Sequence, residues 1–244
     1  MARLNTTTEL FRNIRTLDKF VLQTTTPGST TTAANAAAQA TSISVASITN
    51  FSDTDPIFID GDGGFELAAV AGTPASGVIV LYNKLNIAQT LGATVKEALK
   101  KTLGYVEQSG LTLSPSRQLT DILAANADLP INFIRGPLSI SCGFSLYGWN
   151  LENFATFCGI SEGDITGTGA SAAAPYQLVV GPSSTVEGAC AFRVTGTRYD
   201  SVNFNIDFLN AQFEATGQVQ MNSQNAASIP VNIKMTGMIV RTWT

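Results

Sequence analysis

Between Leu138 and Gly159 the chain reads LSISCGFSLYGWNLENFATFCG, and two different periods follow each other within it. Leu138, Ile140, Cys142, Phe144 and Leu146 alternate with Ser139, Ser141, Gly143, Ser145 and Tyr147. Successive side chains of a β-strand point to opposite faces, so this spacing predicts a strand with one apolar, buried face and one small polar face. Asn150 then stands in a helix-capping position. Leu151, Phe154, Ala155 and Cys158 recur at helical spacing, and Gly159 supplies a stop. A long strand feeding one short helix near 150–158 is a building unit without a catalytic group. It points to a protein whose function is its shape.

The composition agrees. Charged residues make up 13% of the 244, about half the usual share, and neutral Thr, Ser, Asn, Gln, Ala and Gly take their place. Such residues suit strand faces and surfaces that pack on other subunits, where a charge would have to be desolvated or paired. Net charge is −4 and no basic run exceeds Lys100–Lys101, so a phosphate-neutralising stripe is missing and binding of DNA by attraction is not expected. The polar start, MARLNTTTELFRNIR, does not read as a signal peptide, and no apolar run has membrane-spanning length. Synthesis in a cytoplasm is the expectation, with no membrane partner.

Along the chain, residues 1–22 read as an N-terminal arm. Leu10, Phe11, Ile14 and Leu17 have a weak helical spacing there, and Lys19–Leu22 is a short extended run. Residues 23–95 read as a linker followed by an inserted small β module. The Thr/Ala-rich stretch 23–40 reads as a linker or long surface loop. Strands are expected at Ile43–Val45, Pro56–Asp60, Phe65–Val70 and Val78–Tyr82, separated by the turn clusters DGDGG and AGTPASG. The module is expected on the outer surface, so that deleting residues 30–92 would spare assembly.

Residues 96–244 form the main domain. Val95–Lys101 fits helix or strand, Tyr105–Leu113 a strand, and 114–137 a long connection with a helical turn at Leu119–Ala125. After the strand–helix unit and a loop at 161–175, Val202–Phe208, Phe213–Met221 and Val231–Met235 alternate as a meander. The expected class is mainly β: an antiparallel β-sandwich or barrel with one packed α-helix, plus the inserted module.

Chemistry is sparse. There is no histidine, and Cys142, Cys158 and Cys190 are odd in number with no CxxC pair. This removes Ser-His and Cys-His nucleophiles and most zinc sites, and the cysteines read as small buried hydrophobes. Asp53, Asp55, Asp60, Asp62 and Glu66 cluster in the sequence, and Asp60-Gly-Asp62-Gly-Gly has part of a calcium loop. The alternating ligand ladder is missing, however, and Asp-Gly is a hairpin signal, so the turn is the preferred reading. Paired carboxylates acting on a sugar have no cleft marked for them. SEGDITGTGASA, at 161–172, lacks the Gly-Lys-Ser/Thr of a phosphate-cradling loop. The C-terminal aromatics read as core. Neither catalytic, cofactor-binding nor metal-binding residues are assigned, and no cofactor is expected.

SISCGFSLYGWNLENFATFCG, with LGYVEQSGLTL before it and the closing VNIKMTGMIVRTW, resembles the major tail tube protein of long-tailed bacteriophages over roughly residues 100–244. The module at 41–95 is a departure from that pattern, although similar small β modules are scattered through phage structural proteins. The resemblance implies a virion protein: a homo-oligomeric hexameric ring that stacks into a tail tube. Its implied partners are the terminator, baseplate or tip, and tape-measure proteins, with DNA passing through the lumen unbound. The Ser139–Ser145 face would line that lumen. The other reading is a virion-surface or secreted β-sandwich that recognises carbohydrate or protein. An enzyme is not expected.

Overall fold

The computed structural model describes residues 14–23, 26–62, 64–122, 132–147, 150–167, 175–178, 180, 190–197, 202–214 and 228–243. In chain order the strands of the N-terminal part are β1 (Ile14–Leu22), β2 (Ser29–Thr31), β3 (Ser42–Ser44), β4 (Pro56–Gly61), β5 (Gly64–Ala69) and β6 (Val78–Val80). Next come the long strands β7 (Thr94–Ile122) and β8 (Asn132–Tyr147), then the helix α1 (Leu151–Phe157). The short strands β9 (Ile165–Thr166) and β10 (Gln177–Leu178) precede β11 (Cys190–Thr197), β12 (Asn203–Glu214) and β13 (Ser228–Trp243). Among the described residues the protein is mainly β and antiparallel with one α-helix, as expected. The main sheet runs β1-β11-β12-β13-β8-β7-β4-β5, and continuing past β7 to β4 and β5 it is not a simple closed barrel. The chain divides into two compact units, Met1–Gly104 with Gly188–Asn210 and Met238–Thr244, and Tyr105–Glu187 with Ala211–Gly237.

In the first unit β1 is a strand throughout, pairing with β11 on one side and with β7 from Ala98 to Gly104 on the other. The helical spacing of the arm is therefore corrected at Ile14 and Leu17; Leu10 and Phe11 lie outside the described residues. Leu17 is fully buried in the strand. Val95–Lys101, which fits helix or strand by sequence, is strand, because this segment is the start of β7 and pairs with both β4 and β2 over Thr94–Lys96 and then with β1 from Ala98.

The linker reading of 23–40 is also corrected over its described part. Ser29, Thr30 and Thr31 pair with Lys96, Val95 and Thr94, Thr32 bridges to Val45, and Ala36 bridges to Gln89. Threonine is β-branched and favours a pleated strand, which a low-complexity reading of Thr-rich sequence overlooks. The module strands lie where the alternation predicts. Their pairings run in a ring: β2 bonds β3 (Ala33 N to Ser44 O, 2.8 Å; Ala46 N to Thr31 O, 2.9 Å), and β3 pairs β6. Next, β6 extends onto β5 (Ala71 N to Val80 O, 2.8 Å), β5 pairs β4, β4 pairs β7, and β7 returns to β2. Inside the ring Ile43, Val45, Phe51, Ile57, Ile59, Val70, Ile79, Leu81, Leu85 and Val95 form one buried cluster. Gly61 is required by the packing, since a Cβ there would lie 2.6 Å from that of Ala93.

β4 and β5 also bury their other face. Phe58 and Leu67 join Phe20, Ala98, Ala191 and Leu209 in a second cluster, with the Phe65 ring tilted against Phe58 at 4.9 Å between ring centroids. The module is therefore continuous with the rest of its unit. A chain lacking residues 30–92 would leave Phe20, Ala98, Ala191 and Leu209 without Phe58 and Leu67, so the expectation that the module is dispensable is withdrawn.

In the second unit β7 and β8 pair from Tyr105↔Tyr147 to Ile122↔Asn132, and β13 pairs β8 on its far side. The connection expected at 114–137 is thus two strands of a hairpin, and Leu119–Ile122 is extended; residues 123–131 lie outside the described ones. Pro115, which lies within the connection expected at 114–137, sits in the ladder opposite Ile140. A proline is tolerated in a strand where its missing N–H faces away from the partner. The strand expected at Phe213–Met221 reaches only the end of β12 within the described residues. β11 was not foreseen, although Cys190, Phe192 and Val194 alternate with Ala191, Arg193 and Thr195.

The helix stands where the cap predicts. Asn150 Oδ1 accepts from Asn153 N at 2.6 Å. At the other end Gly159, at φ +67°, donates to Thr156 O while Ile160 N reaches back to Ala155 O, the paired bonds that close a helix through a left-handed residue. Its buried side differs from the expectation. Asn153, Ala155, Thr156 and Phe157 are buried, whereas Leu151, Phe154 and Cys158 are half-buried. The helix packs against a 3₁₀ turn at Glu162–Asp164 and against β9 and β10, which pair across what read as a loop. Phe157→Ala is therefore expected to cost about 3–5 kcal/mol in urea denaturation, with Phe154→Ala costing clearly less.

Candidate functional site

The acidic residues singled out in the sequence do not converge. Asp53 Oδ1 accepts from Gly72 N (2.7 Å) and from the Tyr82 hydroxyl (3.2 Å). Asp55 Oδ2 accepts from Ser52 N at 2.6 Å. Asp60 is exposed near the end of β4, and Asp62 sits at the hairpin tip beyond the Gly61↔Gly64 pair. Glu66 is buried and accepts from Asn86 N (2.9 Å), Asn86 Nδ2 (2.7 Å) and Ile87 N (3.2 Å), which fixes the 86–87 turn. Among the described residues no three Asp, Glu, Cys or His side chains are grouped to hold a metal ion. The hydrogen bond from Tyr82 to Asp53, with the Asp53 charge beside it, raises the phenol above its ordinary value.

Charge is concentrated where the alternation predicted exposure. Asp207, on the polar side of β12 in sequence, is fully buried. Arg193 Nε donates to Asp207 Oδ1 at 2.6 Å and its Nη2 to Oδ2 at 3.0 Å, while Arg241 Nη1 donates to Oδ2 from β13. Arg241 Nη2 also lies 3.8 Å from Glu66 Oε1 and donates to Leu67 O at 3.5 Å. The Arg193 guanidinium stands 5.2 Å over the Phe20 ring. Two carboxylates and two guanidiniums thus neutralise one another beside the cluster of Phe20, Phe58 and Leu67. The sequence signal was faint: Glu66, Arg193, Asp207 and Arg241 stand singly within four separate strands, each beside at least one apolar neighbour.

The second unit presents a different surface. Residues directly opposite in an antiparallel ladder share a face. Leu111–Phe144–Val231, Leu113–Cys142–Ile233 and Pro115–Ile140–Met235 are the apolar rows across β7, β8 and β13. The intervening rows, on the opposite face, are Thr112–Gly143–Asn232 and Ser114–Ser141–Lys234, with Ser116 opposite Ser139. In these paired rows the face is hydroxyl-rich, and its one charged residue is Lys234. Phe204 and Phe208, by contrast, are fully buried, so these two aromatics belong to the core.

Cys142 and Cys190 are buried and Cys158 is half-buried, all as free thiols. Burial pushes the Cys142 thiol up to about 12 and raises that of Cys158 by a smaller amount. No family model matches the chain, and no curated protein matches it.

Arg241→Met leaves Glu66 and part of Asp207 buried without their cation and should cost about 3–5 kcal/mol by denaturant titration, with Arg241→Lys intermediate. For Cys142 the folded pKa lies above the ordinary thiol value of 9.0. Its stabilising contribution is thus complete below pH 9 and fades as pH rises from about 9 to about 12. Thermal melts across that range should show a fall in stability that is smaller in Cys142→Ala. Iodoacetamide at pH 8.5 should label Cys158 well before Cys142.

Proposed function

We propose that the chain is a structural virion subunit: a ring-forming protein, hexameric by family resemblance, that stacks into a tail tube through which DNA leaves the capsid. The supporting observation is the hydroxyl face of β7, β8 and β13, in which rows of Ser, Thr, Gly and Asn span three adjacent strands. Apart from the cation Lys234, the groups in these rows are small and neutral and offer no fixed counter-charge, so a polyanion could move along such a surface with little adhesion. The long strands add to the reading, because unpaired backbone groups at a strand edge are satisfied when a neighbouring copy pairs there, and head-to-tail repetition then generates rings or filaments. The function is mechanical, without catalysis or cofactor, and the site of action is the phage tail after synthesis in the host.

Negative-stain microscopy of the purified full-length chain tests this. Rings or hollow tubes are expected, whereas monomers at all concentrations would favour the alternative of a β-sandwich binding module. The lumen assignment needs a separate probe. Ser141→Arg would place its charge directly opposite Lys234, where like charges repel, so Ser145→Arg, opposite Pro230, is the cleaner variant. Tubes carrying Ser145→Arg should assemble normally yet deliver DNA more slowly. Delivery at the unmodified rate would count against a lumen position for this face.

A further inference from the structure

On the outside of the module β6 carries two large side chains in the open, Val80 and, just beyond the strand end, Tyr82, which is 57% exposed. They project from the same side, since Ile79 and Leu81 between them are buried in the ring's interior. Their neighbours across the sheet are small. Ser42 pairs with Val80 on β3, while Ala71 N bonds Val80 O and Tyr82 N bonds Ala69 O on the other side. None of these directly paired neighbours is large enough to cover the aromatic ring. Tyr82 is also held in place: its hydroxyl donates to Asp53 Oδ1, and that oxygen is itself fixed by Gly72 N. Both bonds fall on Oδ1, and among the described residues no donor is bonded to Asp53 Oδ2.

We propose that this platform is a saccharide-binding site. A pyranose presents a face of C–H groups bordered by hydroxyl donors. The fixed Tyr82 ring and Val80 supply an apolar strip for such a face, and Asp53 Oδ2 and the Ser42 hydroxyl border the strip with an acceptor and a donor–acceptor. Immobilising the ring before binding removes part of the side-chain ordering cost that a free surface tyrosine would carry. A protein partner would demand a larger apolar patch than a Tyr–Val pair ringed by alanine and serine, so a sugar is the better match. The proposal is independent of the tube reading.

The test uses the full-length protein and saturation-transfer NMR with cellohexaose, maltohexaose and chitohexaose as probes. At least one should receive saturation through its ring protons. Tyr82→Ala should reduce its affinity at least tenfold, Asp53→Asn several-fold, and Tyr82→Phe, which keeps the ring but loses the tether, by an intermediate amount. Both positions are exposed, and an unchanged thermal melt checks that the module core has survived. Absence of transfer to every probe, or binding that persists unchanged in Tyr82→Ala, overturns the proposal.

Discussion

Strands β4 and β5 have to be apolar on both faces, and much of the first unit is arranged around that requirement. Ile57 and Ile59 point into the module while Phe58 between them points out of it, and Leu67 and Ala68 divide in the same way between the two clusters. An antiparallel pair usually leaves one face to water. Here the outer face is covered by β1, β7, β11 and β12, whose Phe20, Ala98, Ala191 and Leu209 close over it. The ion cluster lies at the same junction, with Arg241 bonded both to Leu67 O on β5 and to Asp207 on β12. A buried ion pair seldom adds net stability over an apolar replacement, but it does penalise any arrangement that separates the partners. Its position suits the fixing of one packing geometry between the module and the sheet beneath it.

The features legible in the sequence were those with a clean period. The strand through Cys142, Phe144 and Leu146, the Asn150 cap, the Gly159 stop and the four module strands all announced themselves by alternation or by a residue with one preferred use. The failures share a cause as well. Residues 29–36 are poor in large apolar side chains, so hydrophobic periodicity gave no sign of a strand whose stability comes from backbone pairing with β7. Pro115 suppressed a strand that in fact tolerates it. The short helix presented two plausible faces, and the choice between them was made by its neighbours β9 and β10, not by its own spacing. Asp207 read as a solvent-facing residue because alternation says which side a residue faces, not whether another layer lies there.

The two units divide polarity differently. In the first, charge is drawn inward and neutralised, as with Asp18, which is buried beneath Lys100 (3.0 Å) and Thr102 (2.7 Å). In the second, the hydroxyl face carries a single cation, Lys234, among three strands. A chain with few charges has thus spent several of them on holding its own layers together, which leaves an extended surface whose interactions with water are dipolar and easily exchanged. Such a surface solvates well without presenting a strong field to a passing macro-ion.

The chain passes into the module at Gly28 and out of it at Glu97, and these two residues are bonded to each other: Glu97 N donates to Gly28 O at 2.8 Å and Gly28 N to Glu97 Oε2 at 2.9 Å. Entrance and exit are neighbouring strands, about one strand spacing apart. An inserted segment with that property can be lengthened, shortened or exchanged without stretching the flanking chain, because the gap to be spanned does not depend on what fills it. Grafting is consequently limited by surface chemistry, not by reach: a foreign domain with adjacent ends could be spliced at Gly28 and Glu97 if it brought its own counterparts of Phe58, Leu67 and Glu66.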